Sequence, residues 1–141
     1  MKENKKMIIF IVILGITIVL VKLLFGSSNK TTRLDIDSII KNKKTMLIYV
    51  GSKDSKKCSK CSEVINYLDK ENIKYSKYII EDYSKDDYNN MLKSFNINSK
   101  DFGYPAIIYI KEGKLYSNLI NIPNTKLIDN YIKDYNLGSV K

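Results

Sequence analysis

The most one-sided stretch of the chain is residues 7–25, apolar at nearly every position and broken only by Gly15, Thr17 and Lys22. At about 1.5 Å of rise per helical residue, such a run comes close to spanning a hydrocarbon core of about 30 Å. Lys22 lies near one end, where its stem can snorkel to the interface. The pattern predicts a single transmembrane helix over 7–25. Lys2, Lys5 and Lys6 precede it and favour a cytoplasmic segment 1–6 with the carboxyl-terminal domain outside, although Lys22, Lys30 and Arg33 reduce the charge asymmetry. A cleaved signal peptide shares the basic start and apolar run. The length of the run, the Lys22 interruption and the poor match of Leu24-Phe25-Gly26-Ser27-Ser28 to a small-x-small cleavage site favour an anchor. Either reading delivers the rest of the chain to an oxidising compartment. Residues 26–33 read as a polar linker, which leaves 34–141 as one domain.

Within that domain the periodicity alternates between helix and strand. Leu34, Ile36, Ile39 and Ile40 fit a short helix with Asp35 or Asp37 as cap. Residues 45–50 are β-branched and aromatic, closed by Gly51, as in a central strand buried on both faces. A polar loop over 52–57 leads to a helical pattern from Cys58, with Cys61, Val64, Ile65 and Leu68 on one face and its end at Asn72. Residues 73–80 read as the next strand, parallel to the first because a helix intervenes. A helix is expected over 82–95, with Ser84 available as cap. Pro105 then opens a strand over 106–110, and a turn over 111–114 leads to an antiparallel partner over 115–120. A final helix covers 125–135. The order allows a mixed four-stranded sheet flanked by helices, an α/β fold.

Charge and composition narrow the chemistry. The chain has 24 Lys plus Arg against 15 Asp plus Glu, but residues 1–33 hold six of the bases and one of the acids, so the remainder carries 18 against 14. Arg33 is the single arginine, and no basic stripe exists. Nucleic acid is therefore excluded as a partner. With no histidine and two cysteines, most metal sites and every His-based triad are excluded as well.

The remaining chemistry is Cys58-Ser59-Lys60-Cys61. Half of a zinc site has this spacing, but the other two ligands would have to come from carboxylates or a partner chain. A purely structural bridge is a second reading. Against it, closing so small a loop contributes little chain-entropy stabilisation. For redox chemistry, a cysteine at a helix start faces unpaired N–H groups and the positive end of the helix dipole, and Lys56, Lys57 and Lys60 add charge. Cys58 is then the attacking sulfur and Cys61 the resolving one.

A Cys-x-x-Cys directly after a buried strand, a proline opening the third strand and a terminal helix after a hairpin together resemble the thioredoxin superfamily, over about residues 36–135. Residues 47–51 and 58–61 are also similar to thioredoxin-like accessory proteins encoded beside bacteriocin or peptide-export genes in Gram-positive bacteria. The resemblance implies a thioredoxin-like fold behind the transmembrane helix, a cis Pro105 opposite the motif, and Tyr104 offering its backbone to a substrate chain. It further implies catalytic Cys58 and Cys61, no cofactor and no metal. The chain departs from the superfamily in lacking the Trp that usually precedes the first Cys and the buried Asp of many thioredoxins. Asp54 and Glu63 are the nearby acids, and the loop 52–57 is longer than usual.

The function expected is a single-pass membrane thiol-disulfide oxidoreductase, oxidase or isomerase rather than reductase, acting on exported cysteine-containing proteins or peptides, with a membrane redox protein as a further partner. The alternatives are a non-catalytic accessory module in which the cysteines merely bridge, and an immunity factor at the membrane.

Overall fold

The computed structural model describes residues 33–137. The chain divides between Thr32 and Arg33 into two units. The transmembrane helix expected over 7–25, and the linker up to residue 32, lie outside the described residues. Among the described residues no helix is long and apolar enough to cross a membrane.

Helix α1 (Ile36–Lys41) starts where the Asp35 side chain accepts the Ser38 N–H at 3.0 Å, which decides between the two available caps. Strand β1 (Met46–Gly51) is buried at every position after Met46, as expected for a strand covered on both faces. Helix α2 (Cys61–Lys70) crosses over to strand β2 (Ser76–Ile79), and the two strands are parallel, Ile48 opposite Ser76 and Gly51 opposite Ile79.

Strand β2 is shorter than the apolar run 73–80 suggested. At its start the Ile73 N–H is spent on the Leu68 carbonyl and Asn72 adopts φ 53°, so both residues belong to the cap of α2. At its end the chain tightens into a 3₁₀ turn, Ile80–Asp82. Helix α3 (Lys85–Ser94) accordingly begins later than expected, at a capping box in which Ser84 and Asp87 each accept the other's main-chain N–H.

Strands β3 (Ala106–Lys111) and β4 (Lys114–Leu119) form a hairpin whose turn residues, Glu112 and Gly113, have φ of 52° and 75°. A Cβ on Gly113 would also lie 2.7 Å from the Ile40 carbonyl oxygen, so this corner admits only glycine. Helix α4 (Thr125–Asp134) is capped by Asn124 and closes the domain. The sheet order is β2-β1-β3-β4, with β3 antiparallel to β1.

The period-2 alternation of the central strands sorts the core into two layers. Leu47, Tyr49, Ile107 and Tyr109 face one way and pack with Val64 and Leu68 of α2 and Ile128 and Tyr131 of α4. Ile48, Val50, Ile108 and Ile110 face the other way, against Ile39 of α1 and Met91 and Leu92 of α3. Both cysteines belong to the first layer.

Candidate redox site

Six residues, 52–57, connect the end of β1 to the motif. Ser52 Oγ accepts the Asp54 N–H at 3.0 Å, Asp54 Oδ1 accepts the Lys56 N–H at 2.9 Å, and the Asp54 carbonyl accepts the N–H groups of Lys57 and Cys58, each at 3.0 Å. These bonds give a loop without repetitive structure a fixed path. They also correct the expected helix start: α2 begins at Cys61, with Lys60 as an N-cap that contributes no side-chain bond, and Cys58 lies in the preceding turn. The Cys58 N–H is already used by Asp54.

Cys58 and Cys61 form a disulfide, with Cα atoms 5.4 Å apart. Cys58 is 5% exposed and Cys61 3%, so the bridge sits at the edge of the core rather than out on the surface. The Cys61 sulfur accepts the main-chain N–H of Ser52 at 3.3 Å. Below it the Tyr49 hydroxyl donates to the Cys61 carbonyl, also at 3.3 Å. Burial pushes the Tyr49 phenol up to about 12, so it stays protonated at any physiological pH. Gly51 makes this contact possible: a Cβ there would lie 2.1 Å from the Tyr49 hydroxyl oxygen.

The Tyr104–Pro105 peptide bond is cis. In the antiparallel register of β1 and β3, Val50 pairs with Ala106, so one step further Pro105 comes opposite Gly51, next to the residue whose N–H reaches Cys61. Pro105 is buried, and half-buried Tyr104 packs against the same core layer as the disulfide. The flanking carbonyls are taken up, Gly103 by the Asn121 N–H and Pro105 by the Ile122 N–H.

Two of the lysines expected to favour a thiolate have acidic neighbours of their own: Lys60 pairs with Glu63 at 2.7 Å, and the charge of Lys57 acts on Glu81. Of the acids near in sequence, Asp54 builds the turn and Glu63 is engaged by Lys60. The acid that the sequence reading did not single out is Glu81, which accepts from the Ser52 hydroxyl and from the Lys53 N–H at 3.1 Å. Its one sequence signal is position: it follows β2, whose carboxyl end lies beside that of β1, where sites in parallel sheets collect. Among the described residues no cluster of potential ligands fit for a metal ion occurs.

A sheet of order 2-1-3-4 with one parallel pair, a Cys-x-x-Cys bridge entering the helix after the first strand, and a cis proline opening the third strand define a thioredoxin-like fold with a disulfide capable of thiol exchange. Among solved structures, a thioredoxin from Aeropyrum pernix aligns over 72% of this chain and 84% of its own, at 12% identity and a TM-score of 0.49. No family model matches the sequence, and no curated protein shows significant similarity to it.

Proposed function

We propose that the protein is an extracytoplasmic thiol-disulfide oxidoreductase, held to the membrane by residues 7–25, that acts on exported cysteine-containing proteins or peptides. The observation that carries this reading is the Cys58–Cys61 bridge in the core layer against which Tyr104, followed by the cis Pro105, also packs, with a main-chain N–H directed at the sulfur of Cys61. In the oxidising direction a substrate thiolate attacks the Cys58 sulfur and breaks the Cys58–Cys61 bond, and the electron pair leaves on Cys61. A second substrate thiolate then attacks the substrate sulfur of the mixed disulfide and releases Cys58 as thiolate. The substrate loses two electrons and the site gains them, so a disulfide-bearing membrane partner must reoxidise it. An N–H bond to Cys61 favours it as the leaving thiolate, which supports oxidase or isomerase activity over reductase. Tyr104 would pair its main chain with the substrate in strand fashion.

The test is to express Cys61→Ser in cells and look for a mixed disulfide on Cys58 with an exported substrate. Equilibration with glutathione gives the second measure. A potential between about −120 and −270 mV places the pair among exchange enzymes, whereas one below about −300 mV marks a structural bridge. One observation favours the alternative, a non-catalytic accessory module: both cysteines are more than nine-tenths buried. Absence of any adduct, with function intact in Cys58→Ser, would decide for that module.

A further inference from the structure

The loop between β1 and α2 must hold a main-chain N–H within hydrogen-bonding distance of one particular sulfur, yet it has no strand or helix to fix it. What fixes it comes from β2. Because β1 and β2 are parallel, with Gly51 opposite Ile79, both strands end on the same side of the sheet, and the residues that follow them meet there. Ser52 and Glu81 are 29 positions apart in the chain. The Glu81 carboxylate accepts the Ser52 hydroxyl on one oxygen and the Lys53 N–H, at 3.1 Å, on the other. Ser52 is the one buried polar residue among those described, and it faces two ways. Its hydroxyl is bound to Glu81 and accepts the Asp54 N–H, while its own N–H points at Cys61 Sγ, 3.3 Å away.

An N–H directed at sulfur stabilises a thiolate more than a thiol or a disulfide, so its placement sets how readily Cys61 departs. Three other polar groups near the motif are committed elsewhere. Asp54 builds the turn, Glu63 pairs with Lys60, and the Tyr49 hydroxyl lies on a carbonyl. Burial acts to raise the Glu81 carboxyl, but the bonds from Ser52 and the Lys53 N–H, with the charge of Lys57, outweigh it. The group therefore lies below the usual glutamate value and is a charged acceptor at neutral pH.

We infer that Glu81 is the positioning residue of this redox site: acting through Ser52, it holds the N–H that stabilises the Cys61 thiolate and so sets the dithiol-disulfide equilibrium of the pair. The Glu81 carboxylate bonds Ser52 and Lys53 and neither sulfur. The inference deepens the oxidoreductase reading and rests on it.

Because the full chain contains only these two cysteines, its equilibrium with glutathione reports on this pair alone. Glu81→Ala and Ser52→Ala are each expected to shift that equilibrium about three- to tenfold towards the disulfide, tenfold being about 30 mV for a two-electron couple. The double variant should shift it no further than either single one, since both cut the same link. Glu81→Gln keeps an oxygen that accepts one of the two bonds, so it should fall between wild type and Glu81→Ala and remains informative if the alanine variant folds poorly. In a Cys58→Ser background, Glu81→Ala should move the pH profile of Cys61 alkylation to higher pH. Shifts that multiply in the double variant overturn the inference. So does a lowered unfolding midpoint with the equilibrium unmoved, which would make the contact a loop tether only. A shift of Glu81→Ala towards the dithiol overturns it too, because removal of charge alone acts in that direction. A wild-type potential in the structural range sinks the oxidoreductase reading instead, and the two failures are thereby told apart.

Discussion

Gly51→Ala tests how tightly the end of β1 is built against the motif. The added Cβ would lie 2.1 Å from the Tyr49 hydroxyl oxygen, 2.5 Å from Cζ and 2.7 Å from Cε1. All three distances are below any real carbon contact, and the ring is fully buried, so it cannot swing out into solvent. Forcing one extra carbon into a packed core costs about 1–3 kcal/mol. Moving the ring also removes the bond from Tyr49 to the Cys61 carbonyl, a net contribution of about 1 kcal/mol. The expected loss is therefore about 2–4 kcal/mol. The assay is urea unfolding of the chain beginning at Arg33, followed by tyrosine fluorescence, since there is no tryptophan. With an m-value of about 1–3 kcal/mol/M, the midpoint should fall by about 1 M or more. Adding Tyr49→Phe removes the atom in closest conflict but leaves Cζ in place. The double variant should thus lose less than the sum of the two single effects. A midpoint within about 0.3 M of wild type, or strict additivity with Tyr49→Phe, would refute the reasoning.

Acid should weaken the domain in part through Glu81. Its carboxyl is depressed below the ordinary 4.5, so its contribution is present above that value and disappears as pH falls through the lower folded value. The difference in urea midpoint between wild type and Glu81→Gln should accordingly be present at pH 7 and shrink as pH is lowered below 4.5. Alkali should act through the buried phenols. Burial raises Tyr49 and Tyr131 from 10 to about 12, so stability should fall as pH rises from about 10 through about 12, and Tyr49→Phe should reduce that loss in an alkaline melting series. Reducing the Cys58–Cys61 bridge should leave a folded domain, because closing a loop between residues three apart contributes at most about 2 kcal/mol of chain entropy; near-UV circular dichroism of Cys58→Ser/Cys61→Ser, if it collapsed, would show the bridge to be a structural staple instead.

Local patterns carried much of this fold. The unbroken apolar run after Thr45 announced a strand covered on both faces, Ser84 offered a helix cap, and the segment around Gly113 marked a hairpin. The Cys58-Ser59-Lys60-Cys61 spacing with the later Pro105 was enough to name the chemistry. Each of these signals is short-range, because caps, turns and side-chain periodicity act over a few residues. Boundaries failed where neighbouring elements competed for the same groups. Ile73 looks like a strand residue but closes α2 with its N–H, and Cys58 looks like a helix start but belongs to the turn held by Asp54. The surroundings of the motif were decided only by tertiary structure. Lys57 and Lys60 read as free charges in the sequence, while in the fold Lys60 meets Glu63 and Lys57 acts on Glu81. Nothing local connects Ser52 with Glu81, or Tyr49 with the Cys61 carbonyl. Those contacts exist because parallel pairing of β1 with β2 brings two strand ends together, and because the missing side chain at Gly51 leaves room for a buried ring to reach over the strand.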